Sequence, residues 1–323
     1  MKYDVVALGE LLIDFTSNET SSQGNPLFEA NPGGAPCNVL SMLTQLGKRT
    51  AFIGKVGNDL LGEFLENTLL KTGIDSTGLV FDGNTNTTLA FVQNTPEGDR
   101  NFSFFRNPGA DTMLRSNEVN AQIISNSRIF HFGTLSLTNE PSKSATQYAV
   151  SLAKQSDVLI SFDPNLRLPL WKNEKDAKAQ MYWGCKQCDI LKISQEELEF
   201  LTGENVIDKG IETLKKICPQ LIIVFVTKGI EGAECFYKNY HIKHPTFTDL
   251  KTIDTTGAGD CFCGCCLSYI LEHDLDQIEE REIYDMLRFA NAASALVTTK
   301  RGALCSMPSK EAVMKLLNTE NVI

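Results

Sequence analysis

Histidine is scarce in this chain, with four among 323 residues. None belongs to a Ser-His-Asp constellation or sits at metal-ligand spacing, so triad hydrolysis and histidine-ligated metal chemistry have no carrier here. Basic residues are the minority: 30 Lys and Arg stand against 40 Asp and Glu, a net charge of −10. A nucleic-acid partner usually requires a basic face, so none is expected. No apolar run reaches the ~18 residues of a membrane span. The start, Met1-Lys2-Tyr3-Asp4, leads straight into the strand-like Val5-Val6-Ala7-Leu8 without a signal-peptide pattern. A cytoplasmic protein with no membrane partner is expected. There is no G-x-x-x-x-G-K-S/T phosphate loop and no protein-kinase signature set. Internal repeats, low-complexity tracts and charge blocks are also missing.

Cysteine, by contrast, is plentiful at ten residues. The chain length and the odd spacing argue against a disulfide framework, which suits small secreted domains. Cys185 and Cys188 form a lone C-x-x-C with no second pair to complete a zinc site. Cys261, Cys263, Cys265 and Cys266 lie inside an apolar helix-length run, where cysteine acts as a small hydrophobe.

Strand-like apolar runs alternate with amphipathic helix-length runs. Strands are expected at Val5–Leu8, Thr50–Ile53, Ile129–Phe132, Val158–Phe162, Ile190–Ile193 and Leu221–Thr227, with a short one near Lys251–Ile253. Helices are expected at Pro36–Leu46, Gly62–Thr72, Ser142–Lys154, Ala177–Cys185, Gln195–Thr202, Gly210–Ile217, Asp260–Leu271 and Tyr284–Thr298. The alternation predicts a doubly wound α/β fold: one mostly parallel sheet with helices on both faces, spanning residues 1–323 as a single domain. Two segments break the rhythm. Residues 13–31 read as strand, loop, strand. Thr87–Asn94 and Arg100–Phe105, joined by Thr95-Pro96-Glu97-Gly98-Asp99, read as a hairpin. Together (roughly 13–31 and 87–106) they are expected to pair into a small β-sheet lid, the bland alternative being two surface excursions.

The segment Asp254-Thr255-Thr256-Gly257-Ala258-Gly259-Asp260 carries the sharpest chemistry. A small-residue turn at a helix start exposes backbone N–H groups that the helix cannot satisfy, and with the helix dipole these form an anion site. Asp260 then stands where it could take a proton from a hydroxyl attacking a phosphate. The bland alternative is an N-capping Asp after a Gly turn. Other polar clusters follow strands, where open α/β sheets bind ligands: Gly9-Glu10 and Asp14, Asp163-Pro164-Asn165-Leu166-Arg167, and Thr227-Lys228-Gly229. The turn Gly33-Gly34-Ala35-Pro36 opens a helix and places Asn38 near any ligand. Asp14 suits paired sugar hydroxyls. Arg106 and Arg167 could bind a phosphate or hydroxyl bidentately, although each alone reads as a structural ion pair.

On these motifs the chain resembles the ribokinase-like (PfkB) family of carbohydrate kinases, over almost its full length. Gly33, Gly34, Asn38, Gly47, Gly54 and Gly57 match an N-terminal signature, and Asp254–Asp260 matches a C-terminal one. Arg106–Asp111 and Asp163-Pro164-Asn165-Leu166-Arg167-Leu168-Pro169-Leu170-Trp171 look like fructokinases within it. The resemblance implies ATP-dependent phosphorylation of the primary hydroxyl of a sugar. It implies Asp260 as base, the amides of Gly257, Ala258 and Gly259 as anion hole, and Arg167 at the transferring phosphate. Asp14, Gly33, Gly34, Asn38, Arg106, Asp163 and Asn165 would serve the sugar. Lys192, Thr227, Lys228, Gly229, Gly232 and Asn291 would lie near the nucleotide. Mg²⁺ would be held through water by Glu197, and K⁺ by Asp254, Thr256 and the loop 297–306. A homodimer through the lid is expected. Ser194 replaces the usual Asn of the magnesium segment, and Leu40 and Cys265 replace small residues. Fructose is the expected substrate; 2-keto-3-deoxygluconate, or a non-catalytic sugar-binding role, stands as the alternative.

Overall fold

The computed structural model describes residues 3–94 and 100–319. Its main sheet has nine strands: β1 (Tyr3–Leu8), β4 (Thr50–Gly57), β5 (Asp75–Asp82), β8 (Ser127–Gly133), β9 (Leu159–Asp163), β10 (Ile190–Ser194), β11 (Ile223–Thr227), β12 (Ala233–Tyr237) and β13 (Tyr240–His244). Their order is β13-β12-β11-β10-β9-β8-β1-β4-β5, parallel from β11 to β5 and closed by two antiparallel edge strands. Among the described residues ten α-helices cover it: α1 (Ala35–Gln45), α2 (Leu60–Thr72), α3 (Ala121–Ser125), α4 (Ser142–Gln155), α5 (Glu174–Gln187), α6 (Gln195–Thr202), α7 (Ile207–Ile217), α8 (Ala258–Glu272), α9 (Glu280–Val297) and α10 (Lys310–Thr319).

The two-residue period of a strand explains the two-sided core. In β1, Val5 and Ala7 pack into the cluster beneath α1, α8 and α9, while Val6 and Leu8 pack into the cluster beneath α4 and α5. All four are fully buried. Such strands read as continuous apolar runs rather than as alternation. The chain winds from β1 to β5 one way and from β8 to β13 the other, so the order reverses between β1 and β8. A crevice forms beyond the carboxyl ends of the strands at such a point.

The second sheet is the expected lid. It has four strands in the order β3-β2-β6-β7: β2 (Leu12–Thr20), β3 (Pro26–Gly33), β6 (Leu89–Asn94) and β7 (Arg100–Phe105). The two excursions meet where β2 and β6 pair in parallel. The turn expected at Thr95–Asp99 lies outside the described residues.

The strand expected near Lys251–Ile253 does not form. That stretch is anchored instead on the end of α9, where Ile253 N–H donates to the Thr298 carbonyl at 2.7 Å. Strands β5, β12 and β13 and helices α3 and α10 were not expected. The edge strand β13 interleaves polar residues through its length, β5 opens on the polar Asp75-Ser76-Thr77 with only a short apolar run after it, and α3 is five residues long. These patterns fall below what periodicity can register.

Helix α8 is buried along nearly its whole length, and its cysteines are part of that packing. Cys261, Cys263, Cys265 and Cys266 are all buried, and burial pushes the thiols of Cys263, Cys265 and Cys266 well up. Cys185 and Cys188 are buried as well. Among the described residues no group of three or more His, Cys, Asp or Glu is arranged to hold a metal.

Gly264 lets α8 approach α1: a Cβ there would stand 2.8 Å from Met42 Cβ and 3.0 Å from the Val39 carbonyl. Replacing Gly by a larger residue in a helix gains up to ~1 kcal/mol of propensity, but overpacking costs ~1–3 kcal/mol. For Gly264→Val, where β-branching reduces the gain, the steric cost wins. Chemical denaturation should show a loss of roughly 2 kcal/mol.

Candidate active site

The loops after β1, β9 and β10, together with lid strands and the start of α8, enclose a cleft of about 800 Å³. Its lining includes Asp14, Gly34, Asn38, Asn165, Arg167, Lys192, Glu197, Thr256, Gly257, Gly259 and Asp260. These residues come from segments more than two hundred positions apart.

The small-residue turn has the geometry an anion site requires. Gly257 is the N-cap of α8 and takes a left-handed φ of 79°. A Cβ on it would lie 2.5 Å from Ala303 Cβ, so both conformation and space demand glycine. No side chain caps the helix; Ala258 N–H donates to the Thr255 carbonyl at 3.3 Å, so the amides after it are the ones a ligand could take. A Cβ on Gly259 would lie 3.0 Å from Lys192 Nζ. The bare glycine therefore lets that ammonium stand against the turn. Ala258 does not line the cleft; its carbonyl accepts a hydrogen bond from Ser294 Oγ at 3.0 Å, which fastens the turn to α9.

Asp260 lies in the first turn of α8 and is 8% exposed. Burial, reinforced by the nearby charge of Asp163, pushes its carboxyl up to about 6. Asn38, Lys192 and Arg167 oppose that rise, Asn38 by donating from Nδ2 to Asp260 Oδ2 at 2.7 Å. A carboxylate near pH 6 is a better proton acceptor than an ordinary one and is still ionised at neutral pH. Lys192 Nζ pairs with Asp163 Oδ2 at 3.0 Å. Burial works against the lysine's charge, but Asp163, Glu197 and Asp260 outweigh it and hold the ammonium protonated.

Glu197 explains the Ser194 departure. Ser194 is the N-cap of α6, accepting from Glu197 N–H at 3.2 Å, and Glu197 Oε2 accepts from Ser194 N–H at 2.8 Å. This reciprocal box works with serine as well as asparagine. Glu197 Oε1 accepts from Leu166 N–H at 2.7 Å, so the same carboxylate holds the loop that carries Arg167. In that loop Asn165 adopts a left-handed φ of 43°, a conformation asparagine tolerates better than most residues. Asp163 Oδ1 accepts from its N–H at 3.2 Å. Arg167 is exposed, with Nη1 donating to its neighbour's carbonyl.

Not every expected residue reaches the cleft. Arg106 is buried in a turn of its own. Its Nε and Nη2 pair with Asp111 Oδ2 at 2.8 and 2.6 Å, Nη1 donates to Thr138 Oγ1, and Nη2 donates to the Leu135 carbonyl. The partner only five residues away makes it a structural ion pair. Gly33 stands behind Asp14: a Cβ on it would meet Asp14 Oδ2 at 2.4 Å. Thr227, at the end of β11, is in register with Ser194, so it continues the cleft's edge along the sheet. Lys228 is held by Glu234 at 2.9 Å. Gly229 has left-handed φ and open space around it. Gly232, with φ 97°, packs against the His244 carbonyl. Asn291 Nδ2 donates to that carbonyl and to that of Pro245, at 2.9 and 3.1 Å. Asn291 thus pins the β13 exit. Asp254 accepts from Thr256 N–H at 2.8 Å and from Gly302 N–H at 3.1 Å, tying the anion turn to the loop after α9. One cleft residue had only a passing mention in the sequence: Glu10, a carboxylate 3% exposed.

A model of the pfkB family of carbohydrate kinases matches residues 2–310. The chain belongs to this family. A probable fructokinase-2 from Arabidopsis thaliana is 42% identical over 309 residues, covering 94% of this chain and 93% of that one. Two solved structures share the fold closely. A fructokinase with bound ATP from Xylella fastidiosa superposes with a TM-score of 0.89 at 28% identity, covering 99% of this chain and all of the other. A fructokinase double mutant from Vibrio cholerae O395, with fructose, ADP and potassium ion bound, gives 0.86 at 31% identity, with 98% and 99% covered. The chain is thus an ATP-dependent sugar kinase by family, with the ribokinase-like fold.

The raised Asp260 carboxyl dictates an acid limb. If it must be ionised, kcat at saturating substrate should fall about tenfold per pH unit below about pH 6 and level off above. Asn38→Ala removes a hydrogen bond that favours the charged form, so in that variant the limb should move to higher pH. A pH–rate profile of both proteins checks this; identical limbs would separate Asp260 from the titration.

Proposed function

We propose that the cleft transfers the γ-phosphoryl group of ATP to the 6-hydroxyl of D-fructose. The observation that carries this is the buried Asp260 at the mouth of an uncapped helix N-terminus, beneath a lid. Its support in comparison is the run of fructokinase relatives at about 40% identity over nearly the whole chain.

The division of labour follows from the geometry. The sugar lies between Asp14 on the lid and Asn38 on α1, with its primary hydroxyl against Asp260. Asp260 accepts the proton as the oxygen attacks. The amides of the Gly257–Gly259 turn, Lys192 and Arg167 face the charge that develops on the transferring phosphoryl. Asn165 and Asp163 hold Arg167's loop in place. The nucleotide extends along the strand ends from Ser194 to Thr227 and the 228–232 turn. The lid excludes water that would otherwise take the phosphoryl group.

A single carboxylate near the phosphates suits Mg²⁺, which is bound largely by phosphates and water. Glu197 would hold it, and the ion would neutralise charge on the nucleotide phosphates. Asp254 and Thr256, facing the loop after α9, offer the oxygen ligands a K⁺ ion takes. The potassium-bound relative supports this assignment. The protein works in the cytoplasm, consistent with its abundant free cysteine.

It works as a homodimer. The lid's outer face carries Phe15, Phe28, Phe91 and Phe105 in one aromatic cluster with ring centroids 5.1–5.3 Å apart. Phe105 is 62% exposed and Leu27 46%. A second copy covers this face in the dimer. Light scattering should give twice the chain mass for the wild type and the chain mass for Phe105→Asp. A monomeric wild type at micromolar concentration would remove the dimer.

The test of function is an ADP-release assay with Mg²⁺ and K⁺, fructose against a sugar panel that includes 2-keto-3-deoxygluconate. Fructose-dependent turnover should dominate, and Asp260→Asn should lose ~100-fold or more while keeping its melting temperature. Faster turnover with a sugar acid would reassign the substrate. Undiminished turnover in Asp260→Asn would remove the base.

A further inference from the structure

Glu10 follows β1 directly and lines the cleft. It is among the most deeply buried carboxylates of the chain, at 3% exposure. Its Oε1 accepts from Ala35 N–H at 2.9 Å, at the start of α1. Its own backbone N–H also hydrogen-bonds the carboxyl, and no side chain among the described residues donates to it. The backbone on either side is fixed: a Cβ on Gly34 would stand 2.3 Å from the Glu10 carbonyl. Glu10 therefore sits behind the Gly33-Gly34 turn, a few residues before Asp14, with its carboxyl held by backbone N–H groups alone. A carboxylate offers about four acceptor positions, so these donors leave capacity for a ligand. In an occupied cleft the available groups are the hydroxyls of the ligand.

We propose that Glu10 is a substrate-contacting residue whose Oε2 accepts a hydrogen bond from a sugar hydroxyl on the floor of the cleft, alongside Asp14. This rests on the sugar-kinase reading above and extends it to one more recognition group. The groups facing the carboxyl are Arg106 and Asp111 from the turn after β7, and Cys37 from α1. Arg106 and Asp111 are paired with each other; the charge of Arg106 offsets part of the burial of Glu10 and that of Asp111 opposes it. Burial raises the carboxyl to about 7. The ionised form is the better hydroxyl acceptor, so sugar affinity rises as pH increases through about 7.

Glu10→Gln keeps an oxygen for Ala35 N–H and removes the charge. Its KM for fructose should rise about tenfold, the loss typical of a hydrogen bond to a charged group. The KM for ATP and the melting temperature should not change. Glu10→Asp, which shortens the reach, provides a second variant if the first folds poorly. With fructose analogues each lacking one hydroxyl, the wild type should lose affinity for one of them by the same factor. Glu10→Gln should bind that analogue and fructose equally. The pH dependence of the wild-type fructose KM near pH 7 should be absent in Glu10→Gln. An unchanged fructose KM, an equal rise in the ATP KM, or a penalty that persists with every analogue would overturn the proposal. If the wild type turns over a different sugar, the fructose assignment fails on its own. The same series on that sugar, or direct calorimetric sugar binding, then judges Glu10 separately.

Discussion

A carboxylate taken out of water is the constraint around which this protein is arranged. Asp260 would lose its charge in an apolar interior unless fixed dipoles and cations replaced the solvent. Asn38 supplies one hydrogen bond, Lys192 and Arg167 supply charge, and the helix N-terminus supplies its dipole. The opposing charge of Asp163 keeps the balance from tipping to a fully ordinary acid. The result is an ionised group that still binds a proton readily. Lys192 is tied to Asp163, Asp163 to the loop of Arg167, and that loop to Glu197. Each link orients the next, so the site is held by second partners rather than by loop rigidity alone.

Much of this was legible in the chain before its coordinates. The Asp254–Asp260 turn announced itself because its requirement is local: small residues, then an acid, then an apolar run. The alternation of runs specified the sheet, and the two polar excursions specified the lid. Family resemblance added expectations for individual residues.

What stayed hidden depends on contacts across the fold. The family resemblance puts Arg106 at the sugar, yet Asp111 lies close enough to claim it, as its residue type alone suggested. Asn291 reads as a nucleotide neighbour, but the carbonyls of His244 and Pro245 take its amide. Ser194 looks like a defect in a metal segment until the capping box with Glu197 is seen. Glu10 has no motif, because its significance is its burial beside Gly34 and Ala35. The edge strand β13 carries the alternating polarity of surface chain, and the apolar run of β5 is too short to give a strong signal.

Helix α8 carries Asp260 on an element with almost no solvent face, clamped between α1 and α9. Such a helix belongs to the part of a protein that opens last, in the cooperative unit whose exposure is global unfolding. The segment from Asp254 to Asp260 is fastened to that unit. Heating should therefore leave it in place until the core itself opens, whatever happens earlier at the lid.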